Sequence, residues 1–115
     1  MNLQLYYIKN NFDVQKIRRF LKERRLPFAE VDLTRHKIGA REMDLFSRAA
    51  GGIRLLVDQS AKGERAEYVK QLSIDEYLKD ELLEHPELIR LPILRNGSRI
   101  LFGYDEKTLL GWLKE

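Results

Sequence analysis

Residues Leu3–Leu33 read LQLYYIKNNFDVQKIRRFLKERRLPFAEVDL, and this stretch decides the fold. Apolar and polar residues alternate from Leu3 to Tyr7, which predicts a β-strand. Apolar residues then recur at helical spacing and predict a helix with one buried face; they are Val14, Ile17, Phe20 and Leu21. Leu26-Pro27 ends that helix, because a residue before proline avoids the helical conformation. Phe28–Leu33 alternates again, so the stretch predicts a right-handed βαβ unit with parallel strands.

The middle of the chain reads as helices. Gly39–Ala50 has helical spacing, and Gly51-Gly52 follows it as a stop signal. Ser73-Ile74-Asp75-Glu76 has the pattern of a capping box, in which serine and glutamate satisfy the first free amides of a helix. We expect that helix to bury Ile74, Tyr77, Leu78 and Leu82. No secondary structure is predicted for the apolar run Ile53–Val57. The polar segment Asp58–Arg65 is predicted to be a loop.

The C-terminal part reads as a hairpin followed by a helix. Pro92 opens a strand, Asn96-Gly97 is a two-residue turn signal, and Arg99–Phe102 forms the returning strand. Asp105 caps the last helix. The element order predicts an α/β, thioredoxin-like (glutaredoxin-like) fold: a mixed four-stranded sheet flanked by helices. We expect one domain over residues 1–115, with a helical insertion roughly at residues 39–84.

Composition excludes several classes of function. The 115 residues include no cysteine, which excludes disulfides, iron–sulfur clusters and cysteine zinc sites. The only histidines, His36 and His85, are far apart in sequence, so we expect no metal site. No apolar run approaches the roughly 18 residues of a membrane span, and we expect a cytoplasmic protein without a signal peptide. The net charge of +3 is too mild to predict direct nucleic-acid binding.

The charged residues are unevenly distributed. Six basic residues lie between Lys16 and Arg25: Lys16, Arg18, Arg19, Lys22, Arg24 and Arg25. Six acidic residues lie between Asp75 and Glu87: Asp75, Glu76, Asp80, Glu81, Glu84 and Glu87. Two surfaces of opposite charge suit a protein partner, and they equally suit two solvated helix faces. We favour solvated faces, since exposed charges contribute little energy.

Two segments carry a resemblance to a known family. The segment IKNNFDVQKIRRFL (residues 8–21) is similar to the strand–loop–helix that holds the reactive cysteine in the ArsC/Spx branch of the thioredoxin fold. The segment LLEHPELIRLPILRNGSRILFGYDEKTL (residues 82–109) resembles the C-terminal signature of that branch. The chain is thus identified as a cysteine-less, arsenate reductase-like member of a bacterial family. The resemblance also implies a cis peptide bond at Pro92.

The functional residues of the family are not retained in this sequence. By the resemblance, the reactive cysteine aligns with Asn11 and the second cysteine of a CxxC variant with Val14. The oxyanion-binding arginine falls at Asp58 or Gln59. The arginine directly before Pro92 is replaced by Leu91, although Arg90 lies one residue earlier. We therefore expect no catalytic residues, and a vestigial active site at Asn10, Asn11, Val14, Gln59, Leu91 and Pro92.

The resemblance implies a binding function for such a pseudoenzyme. In Spx-like relatives the region aligned with Gly51 and Gly52 contacts the C-terminal domain of the RNA polymerase α-subunit. We expect a protein partner, with transcriptional regulation as the suggested role, and candidate contacts at Lys16, Arg18, Arg19, Lys22, Gly51 and Gly52. Two alternatives stay open: a glutathione or oxyanion binder at the end of the first helix, or a reductase, which would need a nucleophile. No cofactor is expected beyond glutathione.

Overall fold

The computed structural model describes residues 1–114. The chain forms two compact units: a sheet unit, made of Met1–Asp32 and the residues from Pro92 on, and an insertion unit, Leu33–Leu91. The helices are α1 (Phe12–Glu23), α2 (Ala40–Ala50), α3 (Glu64–Gln71), α4 (Asp75–Glu84) and α5 (Glu106–Leu113). Within residues 1–114, no helix combines the length and apolar character needed to cross a membrane. One domain over the whole chain stays a prediction.

The sheet has four strands, as predicted. They are β1 (Leu3–Tyr7), β2 (Phe28–Asp32), β3 (Ile93–Asn96) and β4 (Arg99–Phe102), in the spatial order β2-β1-β3-β4. Strand β1 is parallel to β2 and antiparallel to β3, and β3 is antiparallel to β4. The parallel pair flanks α1 in sequence, which confirms the βαβ reading and the mixed sheet.

Helices α1 and α5 pack on the sheet through one apolar cluster. Its buried members are Leu3, Leu5, Val14, Ile17, Phe20, Leu21, Leu94, Leu101 and Leu109. The four residues that α1 contributes are those that the helical spacing predicted. Burying an aliphatic or aromatic side chain stabilises a fold by roughly 1.5–3 kcal/mol, so this stripe fixes which side of α1 faces solvent.

Helix α1 ends before the proline that the sequence reading used as its stop. Glu23 is the last helical residue, and Arg25 adopts a left-handed conformation with φ of 55°. The amide of Leu26 donates to the Leu21 carbonyl at 2.9 Å, and the amide of Arg25 donates to the Lys22 carbonyl at 3.0 Å. This pairing of amides with the last helical carbonyls closes the helix, so Pro27 lies beyond the stop.

The insertion unit is more helical than the sequence predicted. Gly51 has φ of 96° and ends α2, which confirms the glycine stop. Ile53–Leu56 forms a 3-10 helix, and Val57 forms an isolated antiparallel bridge with Ile89. The loop prediction for Asp58–Arg65 missed that α3 already begins at Glu64. Only Ala66 and Val69 of α3 are buried, so its apolar spacing was too sparse to indicate a helix.

The prediction for the start of α4 was wrong. The helix begins at Asp75, and Ile74 occupies the N-cap position without a side-chain hydrogen bond to the helix. Ser73 is one residue too early to cap. Ile74 and Tyr77 are exposed, by 50% and 58%, although burial was expected for both. Leu78 and Leu82 are buried as expected, so α4 is packed along a narrower stripe than the sequence suggested.

The hairpin turn lies one residue later than predicted. Asn96 still pairs with Arg99 and belongs to β3, so the two turn residues are Gly97 and Ser98. Gly97 has φ of 63°. Glycine with positive φ at the first turn position is the pattern of a type II′ turn. The pairing of Asn96 with Leu3 of β1 keeps Asn96 in the strand.

Asp105 caps α5, and its contribution to the stability of the fold depends on pH. Its carboxylate accepts hydrogen bonds from the Thr108 hydroxyl at 2.8 Å and the Lys107 amide at 3.1 Å. Chiefly the Thr108 bond lowers the pKa of Asp105 below its ordinary value of 3.8. Because the folded-state pKa is lowered, this stabilisation is complete above 3.8 and is lost as pH falls through the folded-state pKa.

We predict that Asp105→Asn, which keeps a capping side chain but cannot ionise, unfolds at a lower urea concentration than the wild type near neutral pH. The difference should shrink as the pH is taken well below 3.8. Urea titrations of both proteins at several pH values measure this. A difference that is constant across that range would contradict the role given to the ionised carboxylate.

Candidate functional site

The N-terminal end of α1 is held by a side-chain cap. Asn11 has extended backbone, and its Oδ1 accepts a hydrogen bond from the amide of Val14 at 3.0 Å. Asparagine is among the residue types preferred at this N-cap position. Val14 itself is buried in the core of the sheet unit. The two positions that the family resemblance assigns to a cysteine pair are therefore occupied by a cap and a core residue.

Asn10 and Arg18 are joined beside this cap. The Arg18 Nη1 donates to Asn10 Oδ1 at 2.6 Å, and Gln15 Nε2 donates to the Asn10 carbonyl at 3.2 Å. Arg18 also pairs through its Nε with Glu30 of β2 and lies 4.8 Å from the centre of the Tyr7 ring. Arg18 is therefore engaged within the sheet unit, whereas the sequence reading assigned it to a partner surface.

The other three basic residues proposed for that surface are exposed: Lys16, Arg19 and Lys22. The most exposed large apolar side chain of residues 1–114 lies on the same helix. Phe12, the first residue of α1, is 79% exposed. The sequence reading did not single it out. Its signal was present, however, since Phe12 lies off the helical stripe that begins at Val14.

Pro92 is buried in the sheet unit, and the backbone beside it is tied to the β4–α5 loop. The amide of Gly103 donates to the Pro92 carbonyl at 2.8 Å. Gly103 has φ of 74°, and a Cβ there would lie 3.1 Å from Asp13 Oδ2. The carboxylate of Asp13 thus packs closely on Gly103 at the end of α1. The cis peptide at Pro92 stays a prediction.

Gln59 and Arg90 line one cavity of about 340 Å³ in the insertion unit. The cavity is lined by Leu55, Val57, Asp58, Gln59, Ser60 and Arg90. Arg90 Nη1 donates to the Leu55 carbonyl at 3.0 Å, and Asp58 accepts from the amide and hydroxyl of Ser60 at 2.9 and 2.7 Å. One carboxylate accompanies the one guanidinium, so the lining does not have the net positive charge that would hold an oxyanion. Leu91 is half-buried and is not among the residues that line this cavity.

Gly51 and Gly52 serve the end of α2. Their amides donate to the carbonyls of Arg48 and Ser47 at 3.1 and 2.8 Å. Gly51 needs its positive φ, and a Cβ there would lie 3.1 Å from the Leu55 side chain. These contacts account for both glycines without a partner, so a role in binding stays a prediction.

The comparison with known families decides the assignment. A sequence model of the ArsC family matches residues 6–111, almost the whole chain. The chain belongs to the ArsC family. This member of the ArsC family contains no cysteine, which is consistent with loss of the catalytic cysteine. The assignment to the Spx branch within the family stays a prediction.

Solved structures of ArsC-related proteins share this fold. The arsenate reductase of Vibrio cholerae superposes with a TM-score of 0.79 at 17% identity, covering 96% of this chain and 97% of that one. The YffB protein gives a TM-score of 0.79 at 21% identity, with the same coverage. An arsenate reductase (ArsC) related protein of Brucella melitensis gives 0.64 at 17% identity, covering 100% and 97%. At these identities the likeness establishes the fold alone. No curated protein sequence matches the chain.

The ArsC-family chain offers little chemistry outside these positions. Within residues 1–114, no three histidine, aspartate or glutamate side chains are grouped as metal ligands. The His85 ring lies 3.3 Å from a Glu87 carboxylate oxygen and 3.9 Å from one of Glu81, while His36 is exposed in a bend. A reductase of the family mechanism needs a thiolate nucleophile, and no side chain of this protein can supply one.

Proposed function

We propose that this ArsC-family protein is non-catalytic and acts by binding another protein through the N-terminal end of α1. The observation that carries the proposal is Phe12, which is 79% exposed beside a position where the family resemblance places the nucleophile. A cap occupies the nucleophile position, and an apolar side chain follows it. This end of α1 has no nucleophile and presents an exposed aromatic ring, which favours binding of another protein over catalysis.

The energetics favour a protein partner for this end of α1. Aromatic side chains dominate the few positions that carry most of the energy at protein interfaces. Burying an exposed phenylalanine yields roughly 1.5–3 kcal/mol. Exposed basic residues on the same helix, Lys16, Arg19 and Lys22, supply charge that speeds the encounter with an acidic partner and fixes its orientation.

The C-terminal domain of the RNA polymerase α-subunit is the first partner to test, and transcriptional regulation is the role that such binding would serve. Support for this choice is the resemblance to the Spx branch, which is an analogy at the level of the fold. The exposed basic residues of α1 support an acidic partner but do not identify it.

The test is a titration of the isotope-labelled protein with this purified polymerase domain, followed by amide shifts. We predict saturable shifts around Phe12 and at least about a tenfold loss of affinity in Phe12→Ser, the effect of removing an interface anchor. The stability of Phe12→Ser should stay within about 0.5 kcal/mol of the wild type, since the ring packs on little.

The matched control is Leu110→Ser, which removes an exposed apolar side chain from α5, 38% exposed. Equal loss of affinity in both variants would contradict a specific role for Phe12. If the polymerase domain does not bind at all, the transcription role is wrong. Photo-crosslinking in the producing cells then decides the rest: adducts from position 12 and not from position 110 identify another partner, and adducts from neither contradict protein binding there.

A small-molecule function at the same end of α1 is the second candidate. The Arg18 guanidinium, hydrogen-bonded to Asn10 and paired with Glu30, lies beside a helix N-terminus, which favours anions. The Asp13 carboxylate opposes this. Titration with reduced glutathione, and separately with sulfate, tests the idea: saturable shifts at Asn10–Val14 would replace protein binding with ligand binding as the leading function.

A further inference from the structure

A groove of about 290 Å³ lies beside α1 in the sheet unit, and Phe12 is not among its lining residues. Two of its lining residues are aromatic: Phe20, which is only 4% exposed, and half-buried Tyr104. Three cations line it as well: Lys16, Arg19 and Arg24. The Arg24 guanidinium lies 3.7 Å from the centre of the Phe20 ring, and Lys16 Nζ lies 5.8 Å from the centre of the Tyr104 ring. The groove thus combines apolar surface with cations held over rings.

The charge balance of the groove is positive. Two glutamates, Glu23 and Glu106, also line it, against three cations. Among residues 1–114, the ion pairs of this protein do not engage these five side chains. The three cations are therefore not neutralised by these ion pairs, and the Arg24 guanidinium contacts the ring and the carbonyl of Phe20. The groove fits an apolar side chain that is accompanied by carboxylates.

Helix α4 presents that combination on its surface. Tyr77 is 58% exposed, and Ile74, one turn before it, is 50% exposed. Asp80 and Glu84 follow Tyr77 at spacings of three and seven residues, so they share its side of the helix, and both are exposed. The one lysine of α4, Lys79, is paired with Asp44 at 2.6 Å. The exposed side of α4 is therefore an aromatic side chain among carboxylates.

We infer that α4 of one copy of this protein docks in the α1 groove of a second copy. Tyr77 packs against half-buried Tyr104 and against the Arg24 guanidinium, which itself lies over the Phe20 ring. The carboxylates of Asp80 and Glu84 meet the groove cations. The occupant is a second copy because the chain itself carries both complementary surfaces. The contact joins two different patches, so it is heterologous and can extend from copy to copy. This inference does not depend on Phe12 or on the proposed function.

Sedimentation velocity of the wild-type protein at increasing concentration and low ionic strength tests the inference. We expect concentration-dependent association that weakens as salt is added, since the cations and carboxylates are exposed. Arg19→Glu, which damages the groove, and Tyr77→Ser, which removes the inserted side chain, should each weaken association about tenfold or more. Circular dichroism checks that both variants are folded.

Mixing the two variants gives the decisive result. Arg19→Glu keeps an intact α4, and Tyr77→Ser keeps an intact groove, so an equimolar mixture should form a one-to-one dimer that cannot extend. The matched controls are Tyr68→Ser, which removes a tyrosine of α3 that is 49% exposed, and Lys22→Glu, which reverses a cation of α1 outside the groove lining. Both controls, and Phe12→Ser, should associate like the wild type.

A wild-type protein that stays monomeric at low salt overturns the inference. So does a mixture that yields no dimer, or a control variant that loses association as fully as Tyr77→Ser. Because none of these measurements involves another protein, their failure leaves the binding of a partner through Phe12 untouched. Conversely, failure of the partner titration leaves the self-association standing.

Discussion

We expect the Asn11→Cys variant to carry a reactive thiol and still to reduce no arsenate. A thiol at the N-terminus of α1 should have a pKa below its ordinary value of about 8.5, because the helix end favours the thiolate. Oxyanion chemistry also needs cations, and the aligned positions hold Asp58 or Gln59 and Leu91. Asp13 adds a carboxylate at the same end of α1. We therefore expect the restored thiol to be reactive but arsenate not to be reduced.

Two measurements check this prediction. The rate of alkylation by iodoacetamide as a function of pH gives the thiol pKa, and no other thiol interferes because the wild-type chain has none. A glutathione-coupled assay with arsenate measures turnover. The control is Asn11→Ser, which has no thiol. Serine also retains a capping side chain, so the control avoids the loss of about 1 kcal/mol of stability that follows removal of a cap. Arsenate turnover by Asn11→Cys would show that the missing arginines are dispensable.

The largest loss of stability should follow Phe46→Ala in the insertion unit. Phe46 is fully buried, with 0% of its surface exposed, and lies on α2. Removal of a buried aromatic ring leaves a cavity and lowers the free energy of unfolding by about 3–5 kcal/mol. Urea unfolding followed by circular dichroism measures the change.

The matched control for Phe46→Ala is Phe12→Ala, which makes the same chemical change at a position 79% exposed. Its free energy of unfolding should change by no more than about 0.5 kcal/mol. Similar losses in the two variants would contradict the burial assigned to α2. The pair also separates folding from partner binding, since Phe12 is the residue proposed to act in binding.

The sequence predicted the sheet unit well because its signals are strong and local. The stripe from Val14 to Leu21 is buried as its spacing required, and the element order gave the mixed sheet. The errors lie where a local signal competed with packing. Ser73 matched a capping box but α4 starts after Ile74, and the pairing of Asn96 with Leu3 and Arg99 moved the hairpin turn by one residue.

The candidate site was predictable only in part. The cap by Asn11 followed from its residue type and its place before a helix. The engagement of Arg18 did not, because Glu30 lies twelve residues away in sequence and reaches it through the parallel pairing of β1 and β2. Sequence spacing identified Arg18 as one more basic residue of α1, and tertiary structure separated it from its exposed neighbours.

The sequence by itself determined that this ArsC-family protein has no thiol, because the chemistry of a nucleophile depends on residue type alone. It also determined the element order and the buried face of α1, which depend on spacing along the chain. Only the tertiary structure decided which charges are engaged, that Phe12 and Tyr77 are exposed, and that Phe20 and Tyr104 line one groove. The exposure of a side chain and the shape of a groove depend on contacts between residues distant in sequence, so a local sequence pattern does not predict them.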